Sequence, residues 1–203
     1  MPPFGEHVLP KGTVVDRFYG VARAPNAFNP CLGDETRFAP LWVNAKCVPT
    51  LYVGETYAAA AFETVFRNMP PVPLPRRIFE QDLSGRGHAR LTLVRDLRLA
   101  PLFEQNLNMI GQTRRSMIDT DATAYTETVQ WAARVHANFP KLDGLIWTSR
   151  QHDRDWACVL FGDRVAETDL EPLKGTEQSV DAGPGRAALG QFAYAYQIDI
   201  LPR

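Results

Sequence analysis

Hydrophobic and polar positions divide the chain into short alternating runs and two longer helical stripes. Val14–Ala22 alternates, with Val15, Arg17, Tyr19 and Val21 on one face and Val14, Asp16 and Phe18 on the other, which predicts a strand. Thr50–Val53 predicts a second strand, and a helix from about Thr56 to Asn68 follows, with Ala58, Phe62, Val65 and Phe66 as its buried stripe. Thr56 is its candidate N-cap, without the Glu of a full capping box. Strands are expected at Ile78–Leu83, Ala89–Val94 and Leu97–Leu102, then a polar helical stretch near Phe103–Ile110. Thr123–Phe139 repeats Tyr125, Val129, Ala132, His136 and Phe139 at helical spacing, and Pro140 ends it. Leu145–Ser149 and Ala157–Phe161 read as buried strands, and Phe192–Ile200 alternates as a last strand with an aromatic face.

Between these elements lie a leader (1–13), a Pro-, Asn- and Asp-rich loop (Pro25–Pro40) and a proline-rich connection over Met69–Arg77. Residues 174–190 are poor in large apolar groups and hold Gly175, Gly183, Gly185 and Gly190, so a mobile loop is expected there. Strand-rich order without alternating strand–helix units points to a single α+β domain over 1–203.

Composition narrows the function classes. The net charge of −1 argues against a broad nucleic-acid footprint. No apolar run approaches the ~20 residues of a membrane span, and the N-terminus lacks a signal-peptide pattern, so a cytoplasmic protein is expected. Cys31, Cys47 and Cys158 have no metal-ligand spacing and read as buried or idle thiols; with four scattered histidines, no metal is expected. The nucleophile elbow, Walker and kinase motifs are missing, and Gly85-Arg86-Gly87 lacks the setting of a dinucleotide loop.

What remains is a set of polar residues at strand ends and helix borders. Arg17 shares a face with apolar neighbours, which calls either for an anionic partner or for a stem that reaches solvent. Glu63 lies about 100° from Phe62 at the border of its helix, where a pair with Arg67 would be an ordinary i,i+4 contact worth ~0.2–0.5 kcal/mol. His136 on an apolar stripe reads as a core histidine.

Five pieces in order resemble the RES-domain toxins of bacterial toxin–antitoxin pairs. They are Arg17-Phe18-Tyr19-Gly20-Val21, the loop from Gly33 to Thr36-Arg37-Phe38, and Leu51-Tyr52-Val53-Gly54 with Ala60-Ala61-Phe62-Glu63. Leu97-Arg98-Leu99 and Asp143-Gly144-Leu145-Ile146-Trp147-Thr148-Ser149 complete the set, with Leu160-Phe161 beyond. The resemblance covers about 14–161; Asp155-Trp156-Ala157-Cys158 departs from the family's pattern.

The resemblance implies an ADP-ribosyltransferase-like fold of split, antiparallel-rich sheets with flanking helices. It implies NAD⁺ as substrate, cleaved at the nicotinamide–ribose bond by hydrolysis or phosphorolysis, or used to ADP-ribosylate a protein, and an Xre-type antitoxin as partner. A non-catalytic binding module is the reading outside enzymes. In the enzyme, Glu63 would stabilise charge near the ribose, Arg17 and Arg37 would meet the pyrophosphate, and Tyr52 would stack on nicotinamide. Ser149 would hold the cofactor or orient Glu63, since no histidine base is placed beside it, and Tyr19 would add a wall.

Overall fold

The structure is a computed structural model that describes residues 5–70 and 74–202. In chain order it forms β1 (His7–Leu9), β2 (Val14–Gly20), β3 (Leu41–Val43), β4 (Lys46–Val48) and β5 (Thr50–Gly54), then α1 (Tyr57–Thr64). β6 (Arg76–Phe79), β7 (Arg86–Leu93) and β8 (Leu97–Pro101) precede α2 (Glu104–Met109), α3 (Arg114–Met117) and α4 (Tyr125–Asn138). β9 (Gly144–Thr148), β10 (Trp156–Phe161), β11 (Leu170–Pro172), β12 (Gln178–Ser179), α5 (Gly183–Ala195) and β13 (Ile198–Leu201) complete the chain.

The main sheet runs β1-β8-β9-β10-β5-β2-β7-β11, with β12 beside β7. Only β8 and β9 pair in parallel within it. β5 and β2 share the single register pair Asp16–Gly54, so two strand groups meet at one narrow seam. The main sheet is continuous across that seam.

Strand alternation sorts side chains into layers. Val15, Leu51, Val53, Ile146, Cys158 and Leu160 fill one face. Strands from both ends of the order, through Leu9, Leu97, Leu99 and Leu170, join the same cluster, so the sheet curls around it. The other face carries Trp147, Val159 and Phe161 under Trp131 and Val135 of α4. Phe18 lies under Ala60 and Phe62 of α1 and Leu189 and Ala193 of α5. The fold is thus mixed α+β, a sheet-rich core with flanking helices.

α1 covers the seam. A Cβ at Gly54 would fall 2.4 Å from the Ala60 backbone nitrogen, so the turn from β5 into α1 depends on a residue without a side chain. Thr56 caps the helix by accepting from the Ala59 N–H, as the sequence suggests. The alanine run allows this close approach, with Ala59, Ala60 and Ala61 almost fully buried. The helix ends at Thr64, short of the expected Asn68.

Other expectations change. Residues 7–9 of the supposed leader pair with β8, and 174–190 hold β12 and the start of α5. Phe192–Ala195 is helical: Phe192 and Tyr196 meet as an i,i+4 ring pair at 4.6 Å, while Tyr194 is exposed, so the alternating aromatics belong to a helix. Only Ile198–Leu201 is extended, in parallel with β6. Extended structure at Ile78–Leu83 stops at Phe79, after which a 3₁₀ turn takes over. Pro71 and Pro73 of the proline-rich connection fall outside the described residues. Among the described residues no helix is long and apolar enough to cross a membrane.

Candidate functional site

Glu63 is the second-last residue of α1 and is buried, 9% exposed. A buried carboxylate is costly unless its charge is met. Three donors meet this one. Arg37 Nη1 donates to Oε2 at 2.8 Å, and Ser149 Oγ and the Arg150 backbone N–H each donate to Oε1 at 2.9 Å. In place of the i,i+4 pair open to it with Arg67, Glu63 makes a long-range ion pair with Arg37, whose side chain is 7% exposed.

Arg37 arrives on the loop after β2, and several contacts fix that loop. Tyr52 Oη accepts from the Phe38 N–H at 3.0 Å and is hydrogen-bonded to Thr36 Oγ1 at 3.0 Å. Burial pushes the Tyr52 hydroxyl up to about 12. Thr128 of α4 donates to the Arg37 carbonyl, and Thr126 donates to Glu35 at 2.9 Å. Tyr52 also meets Trp147 edge-on at 6.0 Å. Its hydroxyl is therefore committed to holding the arginine loop, a role its sequence position did not suggest.

The same loop is closed covalently. Cys31 and Cys47 form a disulfide across a separation of 16 residues, correcting the expectation of unpaired thiols. Cys158 alone is free, and its burial pushes the thiol well above its usual range. Closing a loop of this length stabilises the fold by about 3 kcal/mol through the unfolded chain. Cys31→Ser combined with Cys47→Ser should lower the unfolding free energy obtained from urea denaturation by about that amount, with a correspondingly lower midpoint, and reductant should do the same to the native protein. An unchanged midpoint in both would contradict this role.

Ser149 follows β9, is fully buried, and begins the turn that returns the chain to β10. That turn runs along α1. Asp155 accepts from the Thr56 hydroxyl at the start of the helix, and Gln151 donates to the Phe66 carbonyl at 2.9 Å just beyond its end. Residues 149–155 and α1 thus form one unit around Glu63, and the departure at Asp155 supplies one of its ties.

The structure brings Arg37, Glu63 and Ser149 together, with Tyr52 behind Arg37. It does not bring Arg17 or Tyr19 to them. Both lie on the Val15 face of β2, whereas α1 covers the Phe18 face. Arg17 donates to the carbonyls of Pro25 and Ala27, the latter at 2.7 Å, and burial lowers its guanidinium to about 10. Both contacts are to main-chain carbonyls. Burial raises the Tyr19 hydroxyl, as does the nearby Glu177 carboxylate.

Sequence reading missed Thr128, Gln151, Asp155 and Arg114. Each acts through main-chain or long-range contacts that leave no local signature. A cavity of about 800 Å³ opens beside the turn, lined by Arg76, Arg114, Arg150, Gln151, Met69 and Tyr196 among others. His136 is buried, with Nε2 2.9 Å from Asp163, and burial lowers its basicity. Among the described residues no group of three or more His, Cys, Asp or Glu side chains could hold a metal.

The RES domain family matches residues 14–181. The fold is similar to a chain in the crystal structure of the M. tuberculosis MbcT–MbcA toxin–antitoxin complex, with a TM-score of 0.58 and 15% identity over 93% of this chain and 92% of that one. No curated protein matches the sequence.

Proposed function

Because this chain belongs to the RES domain family, we propose that it is the toxin of a toxin–antitoxin pair and consumes NAD⁺ by cleaving the nicotinamide–ribose bond. The observation that carries this reading is the buried Glu63 carboxylate with three donors fixed around it. A carboxylate offers about four lone-pair directions, so the arrangement leaves one on Oε2 for a ribose hydroxyl. Bond cleavage sends the bonding pair to the nicotinamide nitrogen and leaves positive charge on the ribose carbon. A preorganised carboxylate stabilises that charge more in the transition state than in the bound substrate. Water or phosphate then attacks the carbon and releases its proton to solvent.

Arg37 Nε is buried and has no acceptor among the described residues, so a phosphate oxygen would reach it only if the loop that carries Arg37 moved, while Nη1 holds Glu63. The cavity at Arg150 and Gln151 has the volume of a small-molecule site, with Arg76 and Arg150 beside Asp119 and Asp153 on its walls and an aromatic face at Tyr196; Glu63, Arg37 and Ser149 lie behind Arg150 rather than in its lining. It suits a molecule that joins pyrophosphate to flat rings. Ser149 orients Glu63, and Tyr52 acts through the loop that delivers Arg37.

An ADP-ribosyltransferase-like ancestry of the fold and a small Xre-type antitoxin as partner belong to the same proposal. The similar structure being a toxin–antitoxin complex supports the partner. Transfer of ADP-ribose to a protein would share the first chemical step.

Incubating the purified protein with NAD⁺, with and without phosphate, is expected to release nicotinamide together with ADP-ribose or ADP-ribose 1″-phosphate. Label moving from NAD⁺ onto protein in a cell extract would assign transfer instead. Absence of all three products sinks the enzyme reading.

A further inference from the structure

We infer that Arg114 is a positioning residue for Glu63, acting through the peptide group between Ser149 and Arg150. The inference deepens the reading of the same site proposed above. Arg114 opens the short helix α3, which Thr113 caps and which is anchored by the buried side chains of Met117 and Ile118. From that platform Arg114 Nη1 donates to the Thr148 carbonyl at 3.2 Å and Nη2 to the Ser149 carbonyl at 3.1 Å. Its Nε pairs with Asp119 at 3.2 Å, which sets the plane of the guanidinium fork.

The Ser149 carbonyl and the Arg150 N–H belong to one planar peptide. Arg114 holds the oxygen of that unit, and the N–H on its opposite side donates to Glu63 Oε1 at 2.9 Å. Fixing the oxygen fixes the direction of the N–H. A cation on the carbonyl also draws electron density from the amide, which strengthens the N–H as a donor. The contact at Thr148 fixes the residue before Ser149, whose hydroxyl is the other donor to Oε1. Arg114 therefore orders both donors without touching the carboxylate.

Although Arg114 lines the cavity, its donors are engaged by main chain and by Asp119. A lysine could not replace it, because a single ammonium lacks the planar fork that spans two successive carbonyls.

The test uses Arg114→Ala and Arg114→Lys in the full chain, with two readouts. The first needs no substrate: the amide of Arg150 should shift upfield in the NMR spectrum and exchange its hydrogen about tenfold faster in both variants. The second is kinetic: kcat for nicotinamide release should fall about tenfold or more while KM stays within about twofold. Should the alanine variant not fold, Asp119→Asn, which frees the fork, is expected to move both readouts in the same direction by less. An unmoved Arg150 amide in a folded variant overturns the inference, and so does a raised KM with kcat retained. If the native protein releases no nicotinamide, the reading of the site fails, and the amide measurement still decides the role of Arg114.

Discussion

Replacing Arg37 with methionine is expected to destabilise the protein by about 3–5 kcal/mol, because it strands the Glu63 carboxylate in the interior. Both side chains of the pair are less than a tenth exposed, so solvent does not replace the lost partner. Ser149 and Arg150 would still donate to Oε1, but Oε2 would face an apolar group where a cation stood. For a chain of this size the melting temperature should drop by roughly 10 °C. Urea denaturation of the single variants Arg37→Met and Glu63→Gln and of the double variant closes a cycle. The double variant should be more stable than the sum of the two losses predicts, since removing both charges removes the stranded one. Additive losses would show that the two side chains are not coupled.

The pattern of the sequence carried most of what surrounds the site. β5 and α1 follow from the Leu51–Val53 run, the turn at Gly54 and the Thr56 cap, and β9 and β10 follow from continuous apolar runs too short for helices. Arg37, Glu63 and Ser149 are singled out by the resemblance to the RES family, since local pattern alone reads Arg37 as a loop charge and Glu63 as a helix-border charge. Their mutual contact could not be read, since sequence separations of 26 and 86 residues carry no local pattern. Glu63 illustrates the limit: its helical neighbour Arg67 offered a ready partner, yet the buried pair forms with Arg37 across the fold.

Arg17 shows a different limit. Alternation placed it on the Val15 face, where it is buried, and the need for a partner was real. A guanidinium has five donors and is satisfied as well by carbonyl oxygens as by an anion. The backbone at Pro25 and Ala27 supplied them, and nothing in the residue types there announces it. The Cys31–Cys47 bridge was hidden for a related reason, because Cys47 lies on the three-residue strand β4 and Cys31 in the irregular loop before β3, and neither segment shows a period. Aromatics at every second position of 192–196 also fit helical neighbours four apart, and the alanine-rich context favours α5.

The consequence for function is that the site is built twice over. One set of contacts meets Glu63 directly, and a second set at Tyr52, Thr128 and Arg114 aims those contacts. Groups held in place by such contacts need no rearrangement as charge develops, which is the condition under which a carboxylate lowers a barrier most.

The central claim is that NAD⁺ cleavage depends on the Glu63 charge, and the direct measurement is nicotinamide release by the native protein and by Glu63→Gln. Glutamine keeps the shape but cannot meet all three donors. If its oxygen accepts from Ser149 and Arg150, its amide faces Arg37; turned over, it faces the other two. The variant should therefore lose about 1–3 kcal/mol of stability yet remain folded well below its melting temperature. Compared where both proteins are fully folded, its rate of nicotinamide release should fall by at least about 10²–10³-fold. A Glu63→Gln protein that releases nicotinamide at the native rate would contradict the account.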